Sequence, residues 1–419
     1  DCGAKALRRI VETTAMRRIL VSSRFHATVQ PIAEPLGIEI EVERPNETDS
    51  QDLYEPDSLP PIVPEQDPAA IMFTSGSTGE PKGVVVTHRN IECNTRDIVD
   101  YLRLSAEDRM MVVLPFHYCY GASLLHTHLM AGGSLVLNNR FMFPEKVLDE
   151  IQSRRCTGFA GVPSTYQILL RKTRFRQRTF PTLNCLQQAG GKLPDTLIRE
   201  IRNAMPDARL VIMYGQTEAT ARLSYLPPDR LDEKLGSIGT GLPGTRLEVL
   251  RSDGTPVRPG SDEVGEIVAS GDNIASGYFG DEEETQRFFR DRKLYTGDMA
   301  RVDKDGYLYI VERARDFIKS LGNRVSPKEI EEIIAQIPEV VEVAVVGRPH
   351  EVFGEALKAF VVATSSDRLT AEQIRTHCLK QLPNYKIPEQ IEFLARLPKT
   401  AAGKVAKERL KQATSENTP

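Results

Sequence analysis

Apolar and polar positions change rhythm along this chain, and each change predicts a different kind of element. Between residues 69 and 218, short continuous apolar runs alternate with stretches in which apolar residues recur every three or four positions. The run "MMVVLP" reads as a buried strand, "TGFAGVP", "LQQAGG" and "RLVIMYG" read as further strands, and "AAIMF" leads into the loop that follows it. The stretches between them read as helices. "PEKVLDEIQSRR" opens on Pro144 and lines up Val147, Leu148 and Ile151 on one face. "STYQILL" takes Ser164 as its N-cap, and "LPDTLIREIRNAMP" follows the same helical period. Strand–helix alternation of this kind predicts a parallel sheet with helices on its faces, whose ligands sit at the carboxyl ends of the strands. Both "TSGSTG" after "IMF" and "YGQTE" after "RLVIM" are expected at such ends.

After about residue 236 the pattern shortens to strands broken by turns such as Asp253-Gly254 and Asp305-Gly306. This predicts a β subdomain closing the large domain. A further boundary follows. Ser326-Pro327-Lys328-Glu329 reads as a capping box with proline at the first helical position, and Ile330, Ile333, Ile334 and Ile337 give the helix 327–337 a packing face. Two strands, "VEVAVVGRP" and "ALKAFVVA", and a second helix capped by Thr370 with Gln373 complete a small α+β unit. The tail "KQATSENTP" is expected to fray. The fold class is therefore α/β: a large N-terminal domain over residues 1–314, with mostly parallel sheets and a β subdomain, and a small mobile α+β domain over 315–419.

Composition narrows the function without naming it. The 419 residues exceed one compact core, in line with two domains. A formal net charge of −4 offers no broad electrostatic footprint for nucleic acid. No apolar run has the length of a membrane span, and the N-terminus carries no signal-peptide core. Six scattered cysteines, with no Cys-x-x-Cys, read as reduced thiols of a cytoplasmic protein. The pair His126 and His128 lacks a third metal ligand nearby in sequence.

Chemistry is concentrated in five stretches. "TSGSTGEPKG" offers hydroxyls and unhindered backbone N–H groups to phosphate oxygens, with glycines that let the backbone approach. It is not the common nucleotide loop, because Lys82 is preceded by Pro81 and followed by Gly83. "PFHYCYG" sets His117 after a buried strand. "YGQTE" combines an aromatic ring, a hydroxyl and a carboxylate, "YTGD" ends on Asp298, and "PKTAAGK" places Lys404 among small residues.

In order and at fitting intervals, these stretches and the segment from Arg313 to Glu331 resemble the core motifs of the adenylate-forming superfamily: acyl- and aryl-CoA synthetases, adenylation domains of peptide synthetases, and luciferases. The resemblance is closest to an AMP-forming acyl-CoA synthetase and covers nearly the whole chain. Asp1 is expected to enter mid-domain, because the family carries a further N-terminal stretch. The resemblance implies a reaction in two halves. A carboxylic acid and ATP give an acyl-adenylate, with Mg²⁺ screening the charge, and a thiol such as CoA then displaces AMP. It also implies roles. Thr74, Ser75, Gly76, Ser77, Thr78 and Lys82 would hold the β- and γ-phosphates. Tyr214 would stack on adenine, Thr217 would contact the α-phosphate, and Glu218 would ligate Mg²⁺. Asp298, joined by Arg313, would accept hydrogen bonds from the ribose hydroxyls. Lys404 would bridge the acid and the α-phosphate. Arg315 falls at the hinge, and Gly322 would let the pantetheine arm pass. Two departures from the family pattern stand out: Glu312 where many members have glycine, and Arg315 where Asp or Lys is usual.

The acid is expected to be an acyl or aryl acid. Amino-acid-activating members usually carry an aspartate soon after the second motif, whereas "PFHYCYGASLLHTH" holds no acidic residue. A substrate ammonium would be left unpaired there. The expected pocket walls are His117, Tyr118, Ser123, Gly190 and Gly191. CoA is the expected thiol. A stand-alone adenylation enzyme that loads an acyl carrier protein, and a catalytically inactive adenylate-binding protein, are the alternatives.

Overall fold

The computed structural model describes residues 4–43, 61–75, 81–138, 141–313, 318–320, 323–350, 354–364, 369–399 and 405–415. Its centre is a seven-stranded sheet. From one edge the strands run Thr240–Gly241, Ser224–Leu226, Arg209–Tyr214, Cys185–Gln188, Gly158–Gly161, Arg109–Val112 and Ser134–Leu137. The last five are mutually parallel, and the first two turn antiparallel. Strand alternation sorts the side chains into two cores. Met111, Phe159, Leu186, Leu210 and Ile212 pack with the helices Pro144–Ser153, Pro163–Lys172 and Asp195–Ala204. Met110, Val112, Cys185, Val211 and Met213 pack on the other side, with the helices His88–Leu102 and Cys119–Ala131.

The run "AAIMF" departs from the expected pattern. It lies in the strand Pro68–Ser75, which pairs antiparallel with Pro81–Thr87 in a separate three-stranded sheet completed by Gly277–Tyr278. The phosphate-loop candidate therefore connects a hairpin, with Thr74 opposite Lys82 and Ser75 opposite Pro81. The strand itself is not fully covered, Ala69 being exposed and Ala70 to Phe73 half-buried, and the fully buried residues here, Val84 and Val86, belong to its partner strand.

The region after residue 236 forms the expected antiparallel sheet from Thr245–Leu250, Gly265–Gly271, Lys293–Val302 and Leu308–Arg313, with Phe289–Arg290 at its edge. The C-terminal part holds more than two strands and two helices. Ile318–Ser320, Asn323–Val325, Val340–His350, Gly354–Ala363 and Gln390–Phe393 form one sheet. The helices Pro327–Ile334 and Ala371–Leu379 cover one face, and Lys407–Ser415 covers the other. The tail is thus helical through Ser415 rather than frayed from Lys411, because Leu410 is buried against Val341 and Phe360.

Two caps also differ from expectation. The helix Pro163–Lys172 starts at Val162, with Pro163 rather than Ser164 at its first turn. Ser326 does occupy the N-cap of Pro327–Ile334, but its side chain makes no capping hydrogen bond. Glu329, which the box needs, is held instead by the Lys386 ammonium at 2.6 Å. The Thr370–Gln373 capping box forms as read. The helix 327–337 is also more than a packing face. It ends at Ile334, and its Glu331 and Glu332 pair with Lys407 and Lys192, each at 2.7 Å. Among the described residues no helix is long and apolar enough to cross a membrane, and no cysteine is in a disulfide.

Candidate active site

Tyr214 ends the strand Arg209–Tyr214, and the chain beyond it doubles back at once. A Cβ on Gly215 would lie 2.0 Å from the carbonyl oxygen of Ala221, so only glycine lets the returning backbone pass this close. One 3₁₀ turn, Thr217–Ala219, follows. Thr220 then takes φ 64°, ψ −60°, and the Ala221 N–H donates to the Ala219 carbonyl at 2.7 Å. This is a positive-φ γ-turn, a strained conformation for a β-branched residue, costing about 1–3 kcal/mol. The Thr220 hydroxyl donates to the Asn273 carbonyl at 2.8 Å, which helps to hold the strained turn. The chain returns as Ser224–Leu226, with Ser224 opposite Tyr214.

This fold-back brings distant motifs together. The Tyr214 hydroxyl donates to the Asp298 carboxylate at 2.7 Å. Asp298 is 2% exposed and follows Gly297, whose φ of 71° lies where the pairing with Gly265–Gly271 shifts register. The backbone of Arg313 lies directly opposite Asp298 across the sheet. Tyr214 and Asp298 line a cavity of about 610 Å³ together with Gly190, Gly191 and Lys192. Gly190 has φ 85°, and the Gly191 carbonyl accepts a hydrogen bond from the Gln188 amide at 2.8 Å. Residues from the C-terminal sheet and helices, among them Glu332, Val343 and Lys407, line the same cavity. Across it, Lys192 pairs with Glu332. Burial nevertheless holds the Glu332 carboxyl above its usual range, so the contact is only weakly favourable.

A second meeting point is Tyr278, which the sequence reading did not single out. Its hydroxyl donates to Glu218 at 2.8 Å, and its ring centroid lies 5.7 Å from the Lys82 ammonium. Lys82 also forms an ion pair with Glu284, on the helix Glu282–Phe288. Glu218 and the flank of the phosphate-loop candidate are thereby joined through one tyrosine. A Gly-Tyr step before an acidic helix, in "SGYFGDEEET", was the available signal. Thr217 is buried beside Glu218, and the Thr74 hydroxyl faces the Lys82 carbonyl at a long 3.5 Å.

Of the expected acid-pocket walls, three line one or other of two cavities, and His117 and Tyr118 line neither. Gly190 and Gly191 line the large one. Ser123 lines a smaller one of about 240 Å³ with Phe116, Cys119 and His126. His117 is only partly exposed on the loop before Cys119–Ala131, and the water it does lose lowers its pKa. Gly76, Ser77, Thr78, Arg315, Gly322 and Lys404 lie outside the described residues, as do the side chains of Ser75, Glu312 and Arg313.

Two family models match this chain: AMP-binding enzyme over residues 1–279, and AMP-binding enzyme C-terminal domain over residues 329–404. An indoleacetate–CoA ligase of Aromatoleum aromaticum is 33% identical over 86% of this chain and 71% of that protein. The crystal structure of ATP-bound MatB from Rhodopseudomonas palustris superposes with a TM-score of 0.87 at 29% identity, covering 98% of this chain and 81% of the other. O-succinylbenzoate coenzyme A synthetase of Bacillus subtilis, solved with ATP and magnesium ion, gives 0.82 at 28% identity, covering 97% and 82%.

Proposed function

This chain belongs to the AMP-binding enzyme family, and on that footing we propose that it is an AMP-forming ligase joining an acyl or aryl acid to CoA. The observation that carries the reading is the convergence of Tyr214 and Asp298, 84 residues apart, on one wall of the large cavity. An aromatic ring, a buried carboxylate and side-chain-free glycine walls suit a nucleoside. The ring offers a stacking face, and the carboxylate can accept from two ribose hydroxyls.

In the first half-reaction an oxygen of the acid's carboxylate bonds to the α-phosphorus of ATP. The bond to the bridging oxygen breaks, and pyrophosphate leaves with the electron pair. Two anions must approach, so positive charge is needed. Lys82 is in position to supply part of it on exchanging Glu284 for a phosphate, and Lys404 is assigned to the reacting oxygens. Mg²⁺ screens the phosphates when bound, and Glu218, a hard oxygen donor, fits the one or two carboxylates that this ion usually takes. Thr217, Thr74, Ser75, Gly76, Ser77 and Thr78 are assigned to phosphate oxygens, and Arg313 to the ribose with Asp298. In the second half the CoA sulfur bonds to the acyl carbon, its proton is lost, and AMP departs. His117, whose lowered pKa leaves it neutral at pH 7, is assigned to a gate. Gly322 is assigned to the pantetheine passage and Arg315 to the pivot of the C-terminal domain, with 1–314 and 315–419 as the two bodies. The weak Lys192–Glu332 contact supports such a movement. We place the protein in the cytoplasm.

The test is pyrophosphate release against a panel of carboxylic acids, with and without CoA. Acid-dependent release, followed by AMP and acyl-CoA only when CoA is present, is expected. Acyl transfer to a carrier-protein thiol but not to CoA would replace the acceptor. Release with α-amino acids above that with aliphatic and aromatic acids would overturn the substrate class.

A further inference from the structure

Among the described residues Arg222 is the largest side chain buried to this degree, at 1% exposure, and no carboxylate pairs with it. Its backbone is fixed. The Asn94 side chain accepts from its N–H at 3.1 Å and donates to its carbonyl at 2.8 Å. Its guanidinium lies 4.1 Å above the Tyr120 ring, Nε donates to the Met213 sulfur at 3.3 Å, and Nη2 has no hydrogen-bond partner. The surrounding groups cannot serve as counterions. Burial pushes the Tyr101 hydroxyl up to about 12 and the Cys185 thiol up to about 11, and it raises the Tyr120 hydroxyl further. All three stay neutral.

A second polar group waits on the same face of the sheet. Gln187 is 1% exposed, and neither end of its amide finds an oxygen or nitrogen partner. Strand alternation puts it beside Cys185, and its carbonyl accepts the Tyr120 hydroxyl at 3.0 Å. Stacking on one tyrosine offsets only part of the cost of an unpaired buried charge. Arg222 also lies between the two cavities. Met213, which it touches, lines the large one, while Ala221 and Asn94 line the smaller. Arg222 and Gln187 line neither cavity, and the flexible side chain of Met213 connects the guanidinium to the lining of the large one.

We propose that Arg222, with Gln187, is the specificity-determining group for the acid, and that the acid carries a second carboxylate remote from the one that is activated. A guanidinium presents a rigid fork matched to a carboxylate, and a dry site makes such a pair selective. The proposal rests on the acid–CoA ligase reading and deepens it.

The experiment compares acids in pairs: a straight-chain monocarboxylic acid with the α,ω-dicarboxylic acid of equal length, and an arylacetic acid with its para-carboxy derivative. Pyrophosphate release gives kcat/KM, and thermal melts with each acid report binding without turnover. The parent protein should favour the diacid at least about tenfold. Arg222→Met should lower kcat/KM for the diacid about 10²-fold, the size of a lost charge-assisted hydrogen bond, and leave the monoacid within a few fold. Its melting temperature without acid should hold or rise, since the unpaired charge is gone. Arg222→Lys, which keeps charge but not the fork, should retain part of the discrimination. Diacids should raise the melting temperature of the parent but not of Arg222→Met. Equal loss for both acids, or a lower melting temperature in both variants with discrimination unchanged, would make Arg222 structural and overturn the proposal. Stabilisation of the parent by diacids without pyrophosphate release from any acid would support Arg222 and sink the reaction. Turnover with no preference within the pairs would do the reverse.

Discussion

Tyr214 and Arg222 stand at the two ends of one tight fold-back, and their surroundings differ in kind. On the Tyr214 side, the groups assigned to the nucleotide are tied to partners within the chain. Tyr214 donates to Asp298, Tyr278 donates to Glu218, and Lys82 pairs with Glu284. On the Arg222 side, a guanidinium nitrogen and a whole amide are buried without such partners. The first arrangement folds without a ligand but must exchange bonds to accept one, so binding there is a replacement of contacts. The second is destabilising until something supplies the missing partner. The same few residues thus separate a side built for a ligand that comes and goes from a side that selects what is allowed in.

The strongest way to break this comparison is to remove the charge assigned between the two sides. Lys404→Ala should slow adenylate formation about 10²–10³-fold while leaving thioester formation from pre-made acyl-adenylate within a few fold. Single-turnover rates of each half-reaction decide it, and equal losses would mean that Lys404 does not act between nucleotide and acid. A smaller effect separates the sides themselves. Asp298→Ala should raise the KM for ATP about 10–10²-fold, the range for a hydrogen bond to a charged group, and leave the KM for the acid unchanged. A comparable rise in both constants would show that the two sides act as one. The smallest effect sharpens the idea of exchange. Glu284→Gln frees Lys82 from its ion pair, so the KM for ATP should fall about threefold, of the order of a partly exposed ion pair, with kcat unaltered. An unchanged or higher KM would make Glu284 a support for Lys82 rather than its competitor.

Legibility divided along the same line. The parallel strands announced themselves through continuous apolar runs, and the motifs that carry Tyr214, Asp298, Glu218 and Lys82 were read from residue types at short spacing. "AAIMF" was misplaced among the parallel strands because a short apolar run does not tell a half-exposed hairpin strand from a buried parallel one; only its pairing with residues 81–87 does. Ser326 took the cap position without making the cap bond, and Glu329 pairs with Lys386, 57 residues away, instead of closing the box. Arg222 and Gln187 escaped notice because nothing local marks an arginine in "ARLSYL" or a glutamine in "LQQAGG" as buried without a partner.

By itself the sequence determined the α/β class, the order of the segments and the residues assigned to a nucleotide, because hydrophobic period and short motifs are encoded over a few neighbouring positions. Only the tertiary structure decided which strands pair, that Tyr278 joins Glu218 to Lys82, that the expected pocket walls Gly190 and Gly191 part company with Ser123, and that among the described residues one guanidinium is buried without a counter-charge. Burial and partnership are properties of space rather than of spacing. An arginine reads the same in the sequence whether water, a carboxylate or nothing faces it, and the free energies of those three situations differ by several kcal/mol.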